Sequence, residues 1–163
     1  MKTNKDRVLN LTRASMIAAL YFILTWISEL MGLARLTPQI RLGEALCVLT
    51  WFTPSAVPGL FVGCLLANLT MGSVVWDVVF GSLATLIGAF IGSKLKCKWL
   101  VPLPTVIANT VIVPFIILYC YMNTVSLELY TISALGVLFG EIVSAYVLGM
   151  ILLLTLDKRK LLK

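Results

Sequence analysis

The 163-residue chain contains no histidine, and only 12% of its residues are charged. Without imidazole there is no His-ligated zinc or haem and no His general base. HExxH, GxSxG and GxxxxGK[ST] do not occur. Their absence removes the common zinc-hydrolase, serine-hydrolase and phosphate-loop ATPase readings. The four cysteines, Cys47, Cys64, Cys97 and Cys120, show no CxxC spacing, so packed, reduced thiols are expected rather than a metal centre. Polar surface is the largest lack. The chain is 60% hydrophobic with a mean hydropathy of +1.02, against about 45–50% apolar residues in soluble domains. It reads as a single integral membrane domain over residues 1–163, all-α in class.

A spanning helix takes about 20 mostly apolar residues. Spans are expected at 8–31, 40–52, 56–72, 76–93, 103–122 and 131–155. The first follows a basic start, and no small-residue cleavage site closes it, so it reads as an uncleaved span. Basic residues gather in three groups: Lys2, Lys5, Arg7 and Arg13; Lys94, Lys96 and Lys98; Lys158, Arg159, Lys160 and Lys163. The positive-inside rule puts all three in the cytoplasm. That requires the short stretch before Pro54 to cross, giving six transmembrane helices with both termini inside. The net charge of +6 is thus membrane topology, not a nucleic-acid footprint. Trp51 and Trp99 then fall at the inner interface and Trp76 at the outer one. Small residues recur every four positions at Gly59, Gly63 and Ala67, and form single ridges at Gly81, Thr85, Gly88 and Gly92 and at Ser133, Gly136, Gly140 and Ser144. Such stripes let helices approach closely in lipid.

The remaining charges need a reason. Glu29, Arg35, Arg41, Glu44, Asp77 and Glu128 cluster towards the outer side, and Glu141 sits near the middle of the sixth span. A charge at mid-bilayer costs about 2.5–3.5 kcal/mol on insertion scales, so it faces a cavity or a partner. Asp77 shares a face with Gly81 and Thr85; it reads equally as a helix cap and as a site residue. Glu44 pairs with Arg41 three residues earlier or lines a pocket. Asn68 is site or interhelical glue, Asn109 is glue, and Tyr119 and Tyr121 belong to the interface belt. Together Glu44, Asp77, Glu141 and Asn68, with Trp76 nearby, outline an acidic cavity open to the outside. Such a mouth favours cations or hydrogen-bond donors over phosphorylated compounds. A carboxylate is also a two-point acceptor for an amidine-like edge such as that of guanine. An intramembrane enzyme with an Asp77–Glu141 dyad is disfavoured because the two lie at different depths.

Five stretches, "TRASMIAALY", "RLGEALCVLTWFTPSAVPGLFVGCLLANL", "DVVFGSLATLIGAFIGSKL", "PLPTVIANTVIV" and "GEIVSAYVLGM", together resemble the QueT family over nearly the whole chain. Those proteins are substrate-binding (S) components of energy-coupling factor (ECF) transporters, linked to uptake of queuosine precursors. Gly43 stands where the resemblance leads one to expect serine. The resemblance implies a six-helix S component, not an enzyme, at the plasma membrane. It implies an AxxxA motif, here Ala14 and Ala18, docking on a transmembrane T component. Two cytoplasmic ATPases would use the ATP, leaving no cofactor in this chain. The implied ligand is a deazaguanine base such as aminomethyl-deazaguanine. Glu44, Asp77 and Glu141 would accept its hydrogen bonds, Asn68 would read its carbonyl edge, Trp76 would stack, and Arg41 would orient Glu44. The segment Met31–Gln39 would act as an outer lid. The alternative is a proton-coupled secondary carrier relaying through Glu141.

Overall fold

Six helices follow one another at Asn4–Leu30, Leu42–Trp51, Ala56–Thr70, Asp77–Gly92, Lys98–Cys120 and Leu127–Lys158. The computed structural model describes residues 4–34, 38–122 and 126–159, and no strand occurs among them. Each helix lies on one of the six expected spans. The first, fifth and sixth, with 27, 23 and 32 residues, are long and apolar enough to cross a membrane unaided. The other three are shorter apolar helices. Glycine ends two of them. Gly32 (φ 73°) donates to the Glu29 carbonyl at 2.8 Å while Leu33 N–H returns to Ser28. Gly72 (φ 69°) plays the same part at the end of the third helix, where Ser73 N–H reaches back to Asn68. These are the left-handed stops that only glycine adopts without cost.

The second helix explains its own brevity. Its ten residues form a 3-10 helix, an unusually long run of that form. At a rise of about 2.0 Å per residue it reaches about 20 Å, where an α-helix of equal length would reach about 15 Å. Every residue from Gly43 to Thr50 is buried, because the first, third, fourth and sixth helices pack around it. It is a central strut sheltered from lipid, and its neighbours meet the bilayer in its place. Ser28 Oγ accepts the Leu42 N–H at 2.9 Å and fixes its start.

Close backbone approach holds the first and third helices together. A Cβ at Gly59 would stand 2.7 Å from the Ala14 carbonyl oxygen, and one at Gly63 would stand 2.8 Å from that of Ala18. The periodic small residues of the third helix are therefore an interface. The bundle is apolar outside and polar within. Leu20, Ile27, Ile107, Phe115, Leu135 and Ile151 are exposed, whereas Thr25, Glu44, Asn68, Thr85, Asn109 and Glu141 are buried. A protein in lipid needs that inverted arrangement, since only its interior can satisfy polar groups.

The described members of the basic groups share one end of the bundle. Ser55 Oγ donates to Asn10 Oδ1 at 3.1 Å, joining the basic start of the first helix to the turn after the second. Lys98 Nζ meets Asp157 Oδ2 at 3.2 Å, joining the Lys94–Lys98 segment to the end of the sixth helix. A Cβ at Gly92 would lie 3.5 Å from Thr50 Oγ1, which ties these two corners together. Lys2, Lys160 and Lys163 lie outside the described residues.

Candidate ligand-binding site

Glu44 sits one turn into the buried second helix and is 1% exposed. Its Oε1 accepts a short hydrogen bond from the Tyr21 hydroxyl of the first helix. Thr85 Oγ1 of the fourth helix donates to the same oxygen at 3.2 Å. The other oxygen, Oε2, is buried and has no hydrogen-bond partner among the described residues. Gly43 accounts for how this carboxylate reaches its partners. A Cβ there would run into Thr25 Oγ1 and would stand 3.0 Å from the Tyr21 carbonyl oxygen. Glycine lets the second helix lie against the first, with Tyr21 beside Glu44. A serine would push the two apart.

Glu141 faces the same interior from the sixth helix and is 4% exposed, as its mid-helix position among apolar residues predicts. Asn109 Nδ2 donates to its Oε1 at 2.9 Å, and Oε2 again has no partner among the described residues. Asn109 is thus a donor to a buried acid, where sequence pattern suggested packing glue. The backbone around Glu141 is locally irregular: a π-helical stretch, Ile142–Leu148, follows it directly. Another opens the fourth helix at Asp77–Gly81. Such bulges are frequent at functional sites.

Asp77 and Arg41 are both 7% exposed, and their side chains meet at 3.7 Å between Nη2 and Oδ2. Arg41 also points Nε at the Ala34 carbonyl, 3.4 Å away. The closest carboxylate to Arg41 is therefore that of Asp77, not that of Glu44 as the three-residue spacing suggested. Asp77 lies two turns, about 12 Å of helix rise, closer to the helix start than Thr85. The pair thus sits towards the end of the bundle away from the lysines, and Glu44 and Glu141 lie deeper.

Asn68 is fully buried. Its Nδ2 lies 3.4 Å from the Asp77 carbonyl and 3.6 Å from Cys64 Sγ, leaving Oδ1 without a partner. It offers an acceptor to the interior, not the donor that reading a carbonyl would need. Trp76 departs furthest from expectation. It is 53% exposed and stacks on Phe80 with ring centroids 5.8 Å apart. It lines an apolar groove of about 540 Å³ with Phe115 and Tyr119, and is not gathered with the carboxylates. Adjacent helix positions point in different directions, so Trp76 faces out where Asp77 faces in.

Ala14 and Ala18 also differ from expectation. Ala18 is 7% exposed and packs on Gly63, while half-buried Ala14 packs on Gly59. The small residues that this helix exposes are Ser15 and Ala19. Of the expected lid, Arg35, Leu36 and Thr37 lie outside the described residues. Met31, Gly32 and Pro38 are exposed, and only Ala34 and Gln39 are packed in: buried Gln39 donates to the buried Ala34 carbonyl at 2.7 Å. The Gln39 backbone lies so close over Gly140 that a Cβ there has no room. Sequence reasoning missed Tyr21 and Thr25 altogether; Tyr21 lies four residues before Thr25 on one helical face, a weak signal. Among the described residues no group of three or more His, Cys, Asp or Glu is placed to hold a metal ion.

The model of the QueT transporter family matches residues 11–158. No curated protein and no solved structure matches the chain. The matched region contains all six helices except the first turns of the first. The chain belongs to the QueT transporter family, and is a transporter component with its apolar helices in a membrane.

Proposed function

We propose, from membership of the QueT transporter family, that this chain is the substrate-binding S component of an ECF importer for a queuosine precursor. One observation carries the ligand reading: Glu44 and Glu141 are buried acids that each keep one oxygen without a partner among the described residues. Leaving a buried acceptor unpaired costs about 1–3 kcal/mol, and more when it is charged. A ligand that supplies donors and positive charge removes that cost. Aminomethyl-deazaguanine has both. Its ring N–H and amino group present two parallel donors to one carboxylate, and its ammonium group suits the second. Asn68 Oδ1 is a third acceptor. Asp77 and Arg41 largely balance each other in this reading, and their pair stands between the deeper acids and the outside. Trp76 would contribute stacking only if the fourth helix turned it inward.

The carboxylates are closed off in this conformation, so loading requires the packed Ala34 and Gln39 to move. Arg41 and Gln39, both tied to the Ala34 carbonyl, would move with them. Docking on a transmembrane T component driven by two ATPases is part of the same proposal. The exposed Ser15 and Ala19 suit that contact better than Ala18, which is already used inside the bundle. Both termini and the lysine-rich end then face the cytoplasm of a multi-pass plasma-membrane protein.

Calorimetric titration of the purified chain with amino-, cyano- and carboxamide-bearing deazaguanines tests the ligand reading. The aminomethyl base is expected to bind tightest. Glu44→Gln and Glu141→Gln should each weaken it by about ten- to a hundredfold, the value of a charge-assisted hydrogen bond. Unchanged affinity in both variants would remove these acids from the site. Uptake by cells lacking the T component and the ATPases separates the ECF reading from a proton-coupled carrier: transport by the lone chain would reject the former.

A further inference from the structure

The fourth and fifth helices cross tightly where Gly88 meets Thr105, since a Cβ at Gly88 would lie 2.5 Å from Thr105 Cα. On the outside of that crossing runs an apolar groove of about 460 Å³. Ile87, Ile91 and Leu95 form one wall, Leu103 and Ile107 the other, with Ala108 between them. Four-residue spacing aligns Ile87 with Ile91 and Leu103 with Ile107 along their helices, and Leu95, in the turn after the fourth helix, extends the first wall. Leu100 to Ile112, the stretch of the fifth helix that lines it, measures about 18 Å at helical rise. That is close to one leaflet of a hydrocarbon core about 30 Å thick.

One end of this groove is cationic. Lys94 and Lys96 flank the groove residue Leu95 and are exposed. Lys94 Nζ rests 5.4 Å from the centre of the Phe90 ring, one residue before the groove residue Ile91. Lys98 is engaged by Asp157 at 3.2 Å and anchors the turn. Exposed Lys158 adds charge of the same sign at that end. The other end passes through Val111 and Ile112 into the aromatic groove of Trp76 and Phe80 and presents no cation among its lining residues.

We propose that this groove is a binding site for one anionic phospholipid. Its phosphate lies between Lys94 and Lys96, and one acyl chain lies along Leu95, Ile91 and Ala108 towards Val111. The length matches a single leaflet, the lining is hydrocarbon, and the charge sits only where a head group would be. A zwitterionic lipid would gain little from that cationic end.

The full chain, purified in mild detergent, is titrated with phosphatidylglycerol and with phosphatidylcholine of the same acyl chains. Native mass spectrometry counts retained lipid, and thermal unfolding runs in parallel. Phosphatidylglycerol is expected to be retained at one copy and to bind about tenfold tighter or more, as two lysines near a phosphate should provide. Lys94→Gln with Lys96→Gln should bring that ratio close to one. Ala108→Trp, which fills the groove, should abolish the single retained copy. If Ala108→Trp fails to fold, Ile107→Ser, which makes one wall polar, should weaken retention instead. Equal retention of the two lipids by the unaltered chain, or a preference that survives loss of both lysines, overturns the proposal.

Discussion

Tyr21, Thr85 and Asn109 are neutral donors, and each spends its hydrogen on a buried acid. This division fixes one oxygen of Glu44 and one of Glu141 in place while the second of each stays available. Replacing Asn109 leaves Glu141 Oε1 without its donor, at a cost of about 1–3 kcal/mol, and replacing Tyr21 leaves Glu44 Oε1 with Thr85 alone. Tyr21→Phe and Asn109→Leu should therefore lower the unfolding temperature of the empty protein in detergent. Tyr21→Phe should also let Glu44 swing, weakening ligand binding less than Glu44→Gln does. No change in unfolding for either variant would mean that the acids find other donors. Gly43→Ser is expected to destabilise, because the added atoms meet Thr25 and the Tyr21 backbone. Overpacking of this kind costs about 1–3 kcal/mol, and thermal unfolding measures it. A serine tolerated without loss would show that the first and second helices have slack that their contact does not suggest.

Among elements, the second helix does most to arrange the interior. It carries Glu44, and Arg41 stands just before it; the 3.7 Å contact of Arg41 with Asp77 links it to the fourth helix. Both members of that pair are buried, so removing one charge strands the other. Asp77→Asn should cost about 3–5 kcal/mol. Combining it with Arg41→Gln should recover much of the loss, and a double-mutant cycle of unfolding free energies reads the coupling. Strict additivity would show that the two groups act independently. The first helix offers a parallel contrast. Ala18→Leu forces bulk against Gly63 and should destabilise the chain itself. Ala19→Leu projects outward and should leave folding and ligand binding intact. Under the proposed docking role Ala19→Leu lowers uptake by the assembled transporter, and normal uptake would move the partner's contact elsewhere.

For the whole molecule, the inverted distribution of polarity organises both structure and function. Lipid supplies no hydrogen bonds, so the polar side chains converge on the axis held by the second helix. A route from one end to the deep acids must therefore open within the bundle. The Arg41–Asp77 pair and the packed Ala34 and Gln39 lie at the end opposite the lysines. This places the expected movements at one end and the basic anchors at the other. The two lengthwise grooves beside the fifth helix lie outside that axis and are free to serve the surrounding lipid.

The sequence alone determined the six helices, some from apolar runs near spanning length and the short second one from the charge asymmetry on either side of it. It also determined that the basic groups share an end, since charge asymmetry demands an even number of crossings between them. The burial of Glu141 followed from its apolar neighbours, and that of Asp77 from its four-residue spacing to Gly81 and Thr85. Only the tertiary structure decided which groups meet. Helical period assigns a residue to a face, but not the helix that face will touch. Arg41 was three residues from Glu44 and yet lies closest to Asp77, because the fourth helix packs beside the start of the second. Ala18 turned inward and Ala19 outward because Gly63 allows the first and third helices to touch at one register. Trp76 ended outside because its neighbour Asp77 took the inward position. The ten-residue 3-10 form of the second helix was equally out of reach, since it arises from being enclosed by four other helices and from no pattern within its own residues.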